Sequence, residues 1–312
     1  HSNVRRVLHK DGKATGVLYI DTTTGEEIEQ PADVVVLTAY VFHNVKLLLT
    51  SGIGKPYDPK TGTGVIGKNY AYQVQKGSAV GFFEDVQFNL YAGAGALGIC
   101  LDDYNGDNFD HSDLNFIHGG NIRHHQTGER PIQNNKVPAD SPKWGAEFKK
   151  NSLKYAYSVL SVGLQGASMP YRHHYLDLDP TYKDEFGDPL VRITFDFEEQ
   201  DRQLAKFISD KCAEIVREMG ANHVESLKEL GPYEIVTYQS THNTGGVIMG
   251  ASPDTSAVNN YLQMWDMENL FVVGAVNFAH NGGYNPNGTV GALAYRAAEG
   301  ILNYTKKGGL LV

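Results

Sequence analysis

The sequence predicts an α/β protein built in two intertwined parts, and three observations carry that prediction. A short, wholly apolar strand candidate, Val34 to Leu37, runs into a helix-like segment that ends in Gly52 and Gly54. A second apolar stretch, Leu270 to Val273, precedes a helix-like tail from Val290 to Tyr304. Between them, strand-like pieces alternate with loops rich in Gly, Asn, Asp and Pro, interrupted by one strongly amphipathic run, Glu198 to Met219. Short buried strands feeding helices suit α/β layering, whereas strands punctuated by turn residues suit an antiparallel sheet. Residues 1–69 and 255–312 are therefore expected to form one part. Residues 70–254 are expected to form an α+β part, an antiparallel sheet with helices on one side.

Taken in order, Val4 to Leu8 and Gly16 to Ile20 read as a hairpin around Lys10-Asp11-Gly12-Lys13, because Asp-Gly supplies the positive φ a tight turn needs. Thr24-Gly25 closes a second turn before the strand at Val34. The helix expected from Asn44 to Thr50 is terminated by Gly52 and Gly54. Ser78 to Phe83, Ser158 to Leu164 and Val191 to Phe197 read as strands, and residues 101–142, poor in apolar side chains, as long loops over a sheet. Ile208, Cys212, Ile215, Val216 and Met219 recur at helical spacing, with an acidic start at Glu198-Glu199 and a stop at Gly220. The terminal helix places Leu293, Ala294, Ala297, Ala298 and Ile301 on one face.

Composition narrows the function classes. At 312 residues, 41% hydrophobic and 20% charged, the chain can bury one large core or two ordinary ones. Its longest apolar stretch, Val34 to Phe42, is far shorter than the roughly 20 residues a bilayer-crossing helix needs, so a soluble globular chain is expected. A net charge of -9 and a pI near 5.7 disfavour nucleic acid and anionic membrane as main partners. The first residue is histidine, which suggests a fragment or a processed product. Cys100 and Cys212 could pair, but Cys212 falls in the amphipathic run and reads better as a buried thiol. No Cys-x-x-Cys-His is present, so no c-type haem is expected in this chain.

The chemistry concentrates near the end, in Thr241-His242-Asn243-Thr244-Gly245-Gly246 and Asn285-Pro286-Asn287-Gly288-Thr289. An imidazole and a carboxamide, each in a Gly-rich turn, can take a proton from an alcohol while something else takes its hydride. No protein side chain accepts a hydride, so this reading requires a redox cofactor. Together with Ala32 to Tyr40 and the segment Leu47-Leu48-Leu49-Thr50-Ser51-Gly52-Ile53-Gly54, these residues resemble the glucose-methanol-choline (GMC) family of flavoprotein oxidoreductases. Two positions depart from the family pattern: Val45 stands where proline is usual and Tyr40 where glycine is usual. Gly54-Lys55-Pro56-Tyr57-Asp58-Pro59 and Gly67-Lys68-Asn69-Tyr70-Ala71-Tyr72-Gln73 are similar to the family's membrane-linked sugar and sugar-acid dehydrogenases.

The resemblance implies FAD as cofactor and oxidation of a secondary alcohol of a sugar or sugar acid. It makes His242 the general base and Asn285 the group that orients the substrate hydroxyl, with Asn243 a further candidate for substrate contact. Gly274 and Ala275 would let the backbone approach FAD, and Asn287, Gly288 and Thr289 would open the last helix toward the flavin. It further implies a cytochrome c subunit and a small accessory subunit at the periplasmic face of the inner membrane. The strand-turn-helix that holds the ADP half of FAD in the family has no copy here. The first part is therefore expected to be a partial FAD-binding domain lacking its ADP-binding Rossmann half, and the chain is expected to be inactive alone. A rival reading is a non-catalytic carbohydrate-binding or scaffold fragment, in which Trp144, Trp265 and the tyrosines stack on sugars.

Other motifs carry less. Gly93-Ala94-Gly95-Ala96-Leu97-Gly98 fits a dinucleotide-binding pattern but runs into Asp102-Asp103-Tyr104-Asn105, which cannot form the required helix. Asp103, Asn105 and Asp107 begin like a calcium loop, yet Asn108 and Leu114 occupy the positions that need glycine and a bidentate acid. His124-His125 and His173-His174 are adjacent pairs, and neighbours in sequence splay apart. No metal, haem or iron-sulfur site is expected.

Overall fold

A computed structural model describes residues 1–89, 97–126, 136–234 and 242–311. The chain opens as an antiparallel meander of β1 (Ser2–Lys10), β2 (Lys13–Asp21) and β3 (Glu27–Pro31). Asp11 and Gly12 adopt φ of 51° and 75°, the backbone that the Asp-Gly signal requires. β4 (Val35–Leu37) follows, with Val35 and Leu37 buried and Val36 facing out. The helix α1 (Tyr40–Thr50) starts earlier than Asn44 and buries Val41, Val45 and Leu48 on one side. Gly52 and Gly54, at φ of 69° and 70°, end it as expected.

The middle of the chain contributes β5 (Lys68–Tyr72), β6 (Ser78–Phe82), β7 (Leu97–Leu101), β8 (Gly120–Gln126), α2 (Gly145–Tyr155), β9 (Val159–Gly166), β10 (Tyr175–Lys183) and β11 (Pro189–Thr194). It continues through α3 (Glu199–Glu218), β12 (His223–Ser226) and β13 (Asn243–Gly246). These strands form two antiparallel sheets where a single one was expected, in the orders β12-β6-β9-β8-β7 and β11-β10-β5-β13. The described residues of 101–142 are correspondingly less loop-like than their composition suggests, because β8 lies inside the larger sheet. Its Ile122 is fully buried among side chains far away in sequence. α3 lays Leu204, Ala205, Ile208, Cys212 and Val216 into the core, whereas Met219 at the helix end is exposed. Cys212 is a buried thiol and Cys100 an exposed one, and they do not pair.

The chain then returns through β14 (Gln263–Met264) and β15 (Met267–Val272) to α4 (Asn287–Lys307). β15 lies parallel to β4 in the order β14-β15-β4, matching Leu270 with Val35 and Val272 with Leu37. Both chain ends thus share one sheet. Asn269 reinforces the junction: its amide accepts from Ala14 N at 2.8 Å and donates to Ala14 O at 2.7 Å and Asp33 O at 2.9 Å. α4 departs from the expected face. It buries Ala297 and Gly300, while Ala294 and Ala298 are exposed, and Tyr295 and Leu302 project to the outside.

One ion-pair cluster ties the meander to the turn before β11. Asp188, 4% exposed, accepts from Arg5 at 2.8 Å and from Arg6 at 2.6 Å. Burial alone would raise its pKa, but the hydrogen bonds and charges of Arg6 and Arg5 outweigh that and hold it well below the usual carboxylate range. With a folded pKa below the unfolded one, the stabilisation is complete above about pH 3.9 and is lost as pH falls toward the folded value. Asp188→Asn is expected to destabilise by roughly 1.5–3 kcal/mol at pH 7. Its deficit against the unaltered protein should shrink in thermal melts taken progressively below pH 4.

Candidate active site

β13 carries the Gly-rich turn that follows His242. It pairs antiparallel with β5, bringing Asn243 opposite Tyr72 and Thr244 opposite Ala71. Gly245 and Gly246 hold φ of 81° and 96°, and a Cβ on Gly245 would sit 1.9 Å from the Asn69 carbonyl oxygen. This close approach explains why the turn needs glycine. Thr241 lies outside the described residues.

His242 sits half-buried in a cluster of carboxamides. Its Nδ1 is 2.7 Å from Gln73 Oε1, 3.1 Å from Gln75 Nε2 and 3.4 Å from Gln165 Nε2. Gln73 decides the tautomer. It is fully buried, and its Nε2 donates to the carbonyls of Gly282 (2.5 Å) and Tyr284 (3.0 Å), so Oε1 must face the imidazole as an acceptor. The shortest contact therefore assigns the proton to Nδ1 and makes Nε2 the basic nitrogen. Burial and then the charge of Arg123 lower the His242 pKa, which keeps the imidazole neutral at pH 7. Asn281 supports the backbone by donating from Nδ2 to the His242 carbonyl at 2.8 Å.

Asn285 joins the same cluster from the other end of the chain. Its Oδ1 accepts from Gln165 Nε2 at 2.7 Å and from Arg123 at 3.2 Å. With the oxygen so engaged, the exposed side chain presents its NH2 as a donor. Gln165 is the physical link between the two predicted residues, since its Nε2 reaches Asn285 and Gln73 and lies near His242. Arg123 also donates to Gln165 Oε1. Sequence reading missed Gln73, Gln75, Gln165 and Arg123. Gln73 closes the Gly67 to Gln73 segment without a role assigned to it, no motif marks the other three, and only their burial or convergence in the fold identifies them.

Asn243 has a different task from the substrate contact expected of it. It is fully buried, accepting from Tyr70 Oη at 2.5 Å and donating to Tyr40 Oη, so its amide clamps two tyrosines. Tyr40 itself has φ of 72°, a left-handed conformation uncommon for a bulky side chain. Its ring lines a neighbouring cavity of about 330 Å³ together with Val41, Gly274, Ala275 and Asn287. A larger cavity of about 660 Å³ lies between β1, α1 and Asp184–Asp188, and no member of the His242 cluster lines it.

The cavity beside Tyr40 suits a large cofactor. Gly274 has φ of 144°, and a Cβ there would meet no atom within 4 Å, so glycine keeps open a space that a side chain would fill. Asn287 begins α4, with Gly288 and Thr289 exposed in its first turn. The first N–H groups of a helix have no carbonyl within it and favour negative charge at this end. Val290 N is the first to find a backbone partner, Pro286 O at 2.9 Å. Small backbone, apolar walls and a positive helix end are what a flavin would require.

A neutral, oriented imidazole and a carboxamide donor, joined in one hydrogen-bonded network whose Asn285 adjoins the cavity-lining Pro286, are the parts a cofactor-dependent alcohol-oxidising site would use. Models of the GMC oxidoreductase family match residues 1–75 and 170–294. The gluconate 2-dehydrogenase flavoprotein of Pantoea cypripedii is 43% identical over 304 residues, covering 96% of this chain and 49% of the relative. A 2-methyl-1,2-propanediol dehydrogenase of Mycolicibacterium austroafricanum is 31% identical over 306 residues, covering 96% and 53%. A formate oxidase variant from Aspergillus oryzae RIB40 superposes with a TM-score of 0.64 at 17% identity, covering 99% of this chain and 61% of that one, and shares the fold. The chain belongs to the GMC oxidoreductase family. It spans about half the length of the curated relatives it matches.

Proposed function

We propose that the protein oxidises a secondary alcohol of a sugar acid, of the gluconate type, with FAD as its cofactor. The observation that carries this reading is the hydrogen-bonded link from His242 through Gln73 and Gln165 to Asn285, whose neighbour Pro286 lines the cavity opened by Gly274. FAD, when bound, supplies the acceptor for the carbinol hydrogen. Gly274, Ala275 and the α4 end at Asn287, Gly288 and Thr289 would hold it. His242 Nε2 takes the hydroxyl proton, and Gln73 fixes the ring by accepting from Nδ1. Asn285 donates to the substrate oxygen as negative charge develops there, and Arg123 holds the Asn285 carboxamide in that orientation.

Residues 1–69 and 255–312 would form the FAD-binding part, with 70–254 the substrate domain. The pairing of β4 with β15 and the exposed face of α4 support that division. Electrons would leave through a cytochrome c subunit, assisted by a small accessory subunit, in a complex at the periplasmic face of the inner membrane. Among the described residues no helix is long and apolar enough to cross a membrane.

The test is the visible flavin spectrum of the full-length protein, followed anaerobically while gluconate, neutral sugars and simple alcohols are added. Bleaching by sugar acids at the lowest concentrations is expected. A protein that binds no flavin would overturn the reading in favour of a carbohydrate-binding scaffold, and one bleached only by non-sugar alcohols would overturn the substrate class.

Two further results follow from the geometry. Because the His242 pKa lies below its ordinary value of about 6.5, kcat/KM should stay level from neutrality to below pH 6.5 and then fall as the base is protonated. An acid limb centred above pH 6.5 would contradict the environment described for His242. Asn285→Ala removes a donor used in both the ground and the transition state. It should raise KM and lower kcat, with a combined loss in kcat/KM of roughly ten- to a hundredfold, the scale of one hydrogen bond to a charged oxygen at about 1.5–3 kcal/mol.

A further inference from the structure

We infer that His173, His174 and Glu198 form a binding site for one divalent cation of the zinc class, distinct from the His242 cluster. The turn before β10 places both histidines over Glu198, the residue that precedes α3. His173 Nε2 lies 2.6 Å and His174 Nε2 lies 3.2 Å from the same Glu198 oxygen, and the three ligand atoms all fall within 4.8 Å of one another. Adjacent histidines alone splay apart, which is why the sequence argued against chelation. The fold supplies a third ligand from a different element and closes the set.

His174 is the second, independent observation. It is 1% exposed, wedged against Phe195 (ring centroids 4.6 Å apart) and Tyr171 (5.3 Å), and neither ring nitrogen makes an aligned hydrogen bond. Its approach to Glu198 is close but not directed. Buried polar nitrogens are nearly always partnered, and an ion between the imidazole and the carboxylate provides the missing partner. Two imidazoles and one carboxylate suit Zn²⁺, whereas Mg²⁺ and Ca²⁺ favour oxygen-only sets.

The His174–Glu198 separation already suits a tetrahedral ion, and the His173–Glu198 one needs a small adjustment. Ligands about 2.0–2.1 Å from a tetrahedral ion stand about 3.3 Å apart. His173 must therefore retreat from Glu198 by about 0.7 Å, which its solvent-facing side chain allows. Water completes the fourth position. The ion would fasten the 171–174 turn to the start of α3. The same turn receives the Tyr57 hydroxyl at the Arg172 carbonyl (2.9 Å), so loading would brace the start of β10 in the β11-β10-β5-β13 sheet.

The experiment uses full-length protein stripped with a chelator, titrated with Co²⁺ while its visible absorption is followed and with Zn²⁺ by calorimetry. One equivalent of each is expected to bind, with a rise in melting temperature on Zn²⁺ loading. His173→Gln and Glu198→Gln keep size and polarity and leave buried His174 in place, and each should weaken binding at least tenfold. Failure of the unaltered protein to bind one equivalent would overturn the assignment. So would affinities in both variants within tenfold of the unaltered protein, since the ion would then sit elsewhere.

Discussion

In the full-length enzyme, His242→Ala is expected to lower turnover by roughly a hundredfold to ten-thousandfold while flavin remains bound, the usual contribution of a positioned general base. On the proposed mechanism this is a proton-transfer loss. His242 is held neutral by burial and by Arg123, and Gln73 fixes its Nδ1–H so that Nε2 is the basic atom. Removing the ring leaves Gln73 and Gln75 facing space that water can enter, without moving Gly274 or the α4 end that would contact flavin. The check is stopped-flow reduction of bound flavin by substrate, with the flavin content of both proteins measured beforehand. Reduction at an unchanged rate would leave His242 as a turn residue and remove it from the mechanism.

Gly245→Ala is expected to have the largest effect on folding among the substitutions considered. The left-handed backbone at φ 81° disfavours any L side chain, a cost of roughly 1–3 kcal/mol for conformation alone. The added Cβ would also overlap the Asn69 carbonyl oxygen at 1.9 Å and its carbon at 2.7 Å. Those atoms belong to the backbone of β5 itself and cannot rotate aside, so β13 must separate from β5. Because Asn243 sits on that strand, the Tyr40–Asn243–Tyr70 hydrogen bonds would be lost with it. Denaturant unfolding should show a loss of several kcal/mol or no cooperative transition at all. A change under 1 kcal/mol would mean that the turn tolerates a β-carbon, contrary to this packing.

The expected results differ in what they probe. His242→Ala leaves the scaffold and removes a chemical group, whereas Gly245→Ala leaves every catalytic group in the sequence and removes the register that assembles them. If both proteins retained full activity, the cluster around His242 could not be the reaction site.

The sequence by itself determined the hairpin at Asp11-Gly12, the amphipathic helix from Glu199 with its glycine stop, and the apolar strands that become β4 and β15, because these depend on local φ, capping and periodicity. It also singled out His242 and Asn285, since a family motif is a local string. Only the tertiary structure decided what surrounds them. Gln73, Gln75, Arg123 and Gln165 look like ordinary polar residues in the sequence and become significant when β5, β8, β9 and the 282–285 segment converge. The same holds for α4. Its apolar spacing suggested a buried Ala294 and Ala298, yet which side of a helix is covered depends on what packs beside it. Asn243 shows the limit most directly: adjacent to His242 in sequence, it opens β13 fully buried and is consumed by Tyr70 and Tyr40. Side-chain direction on a strand alternates with every residue, so one position in sequence separates a group in the site from one beneath it.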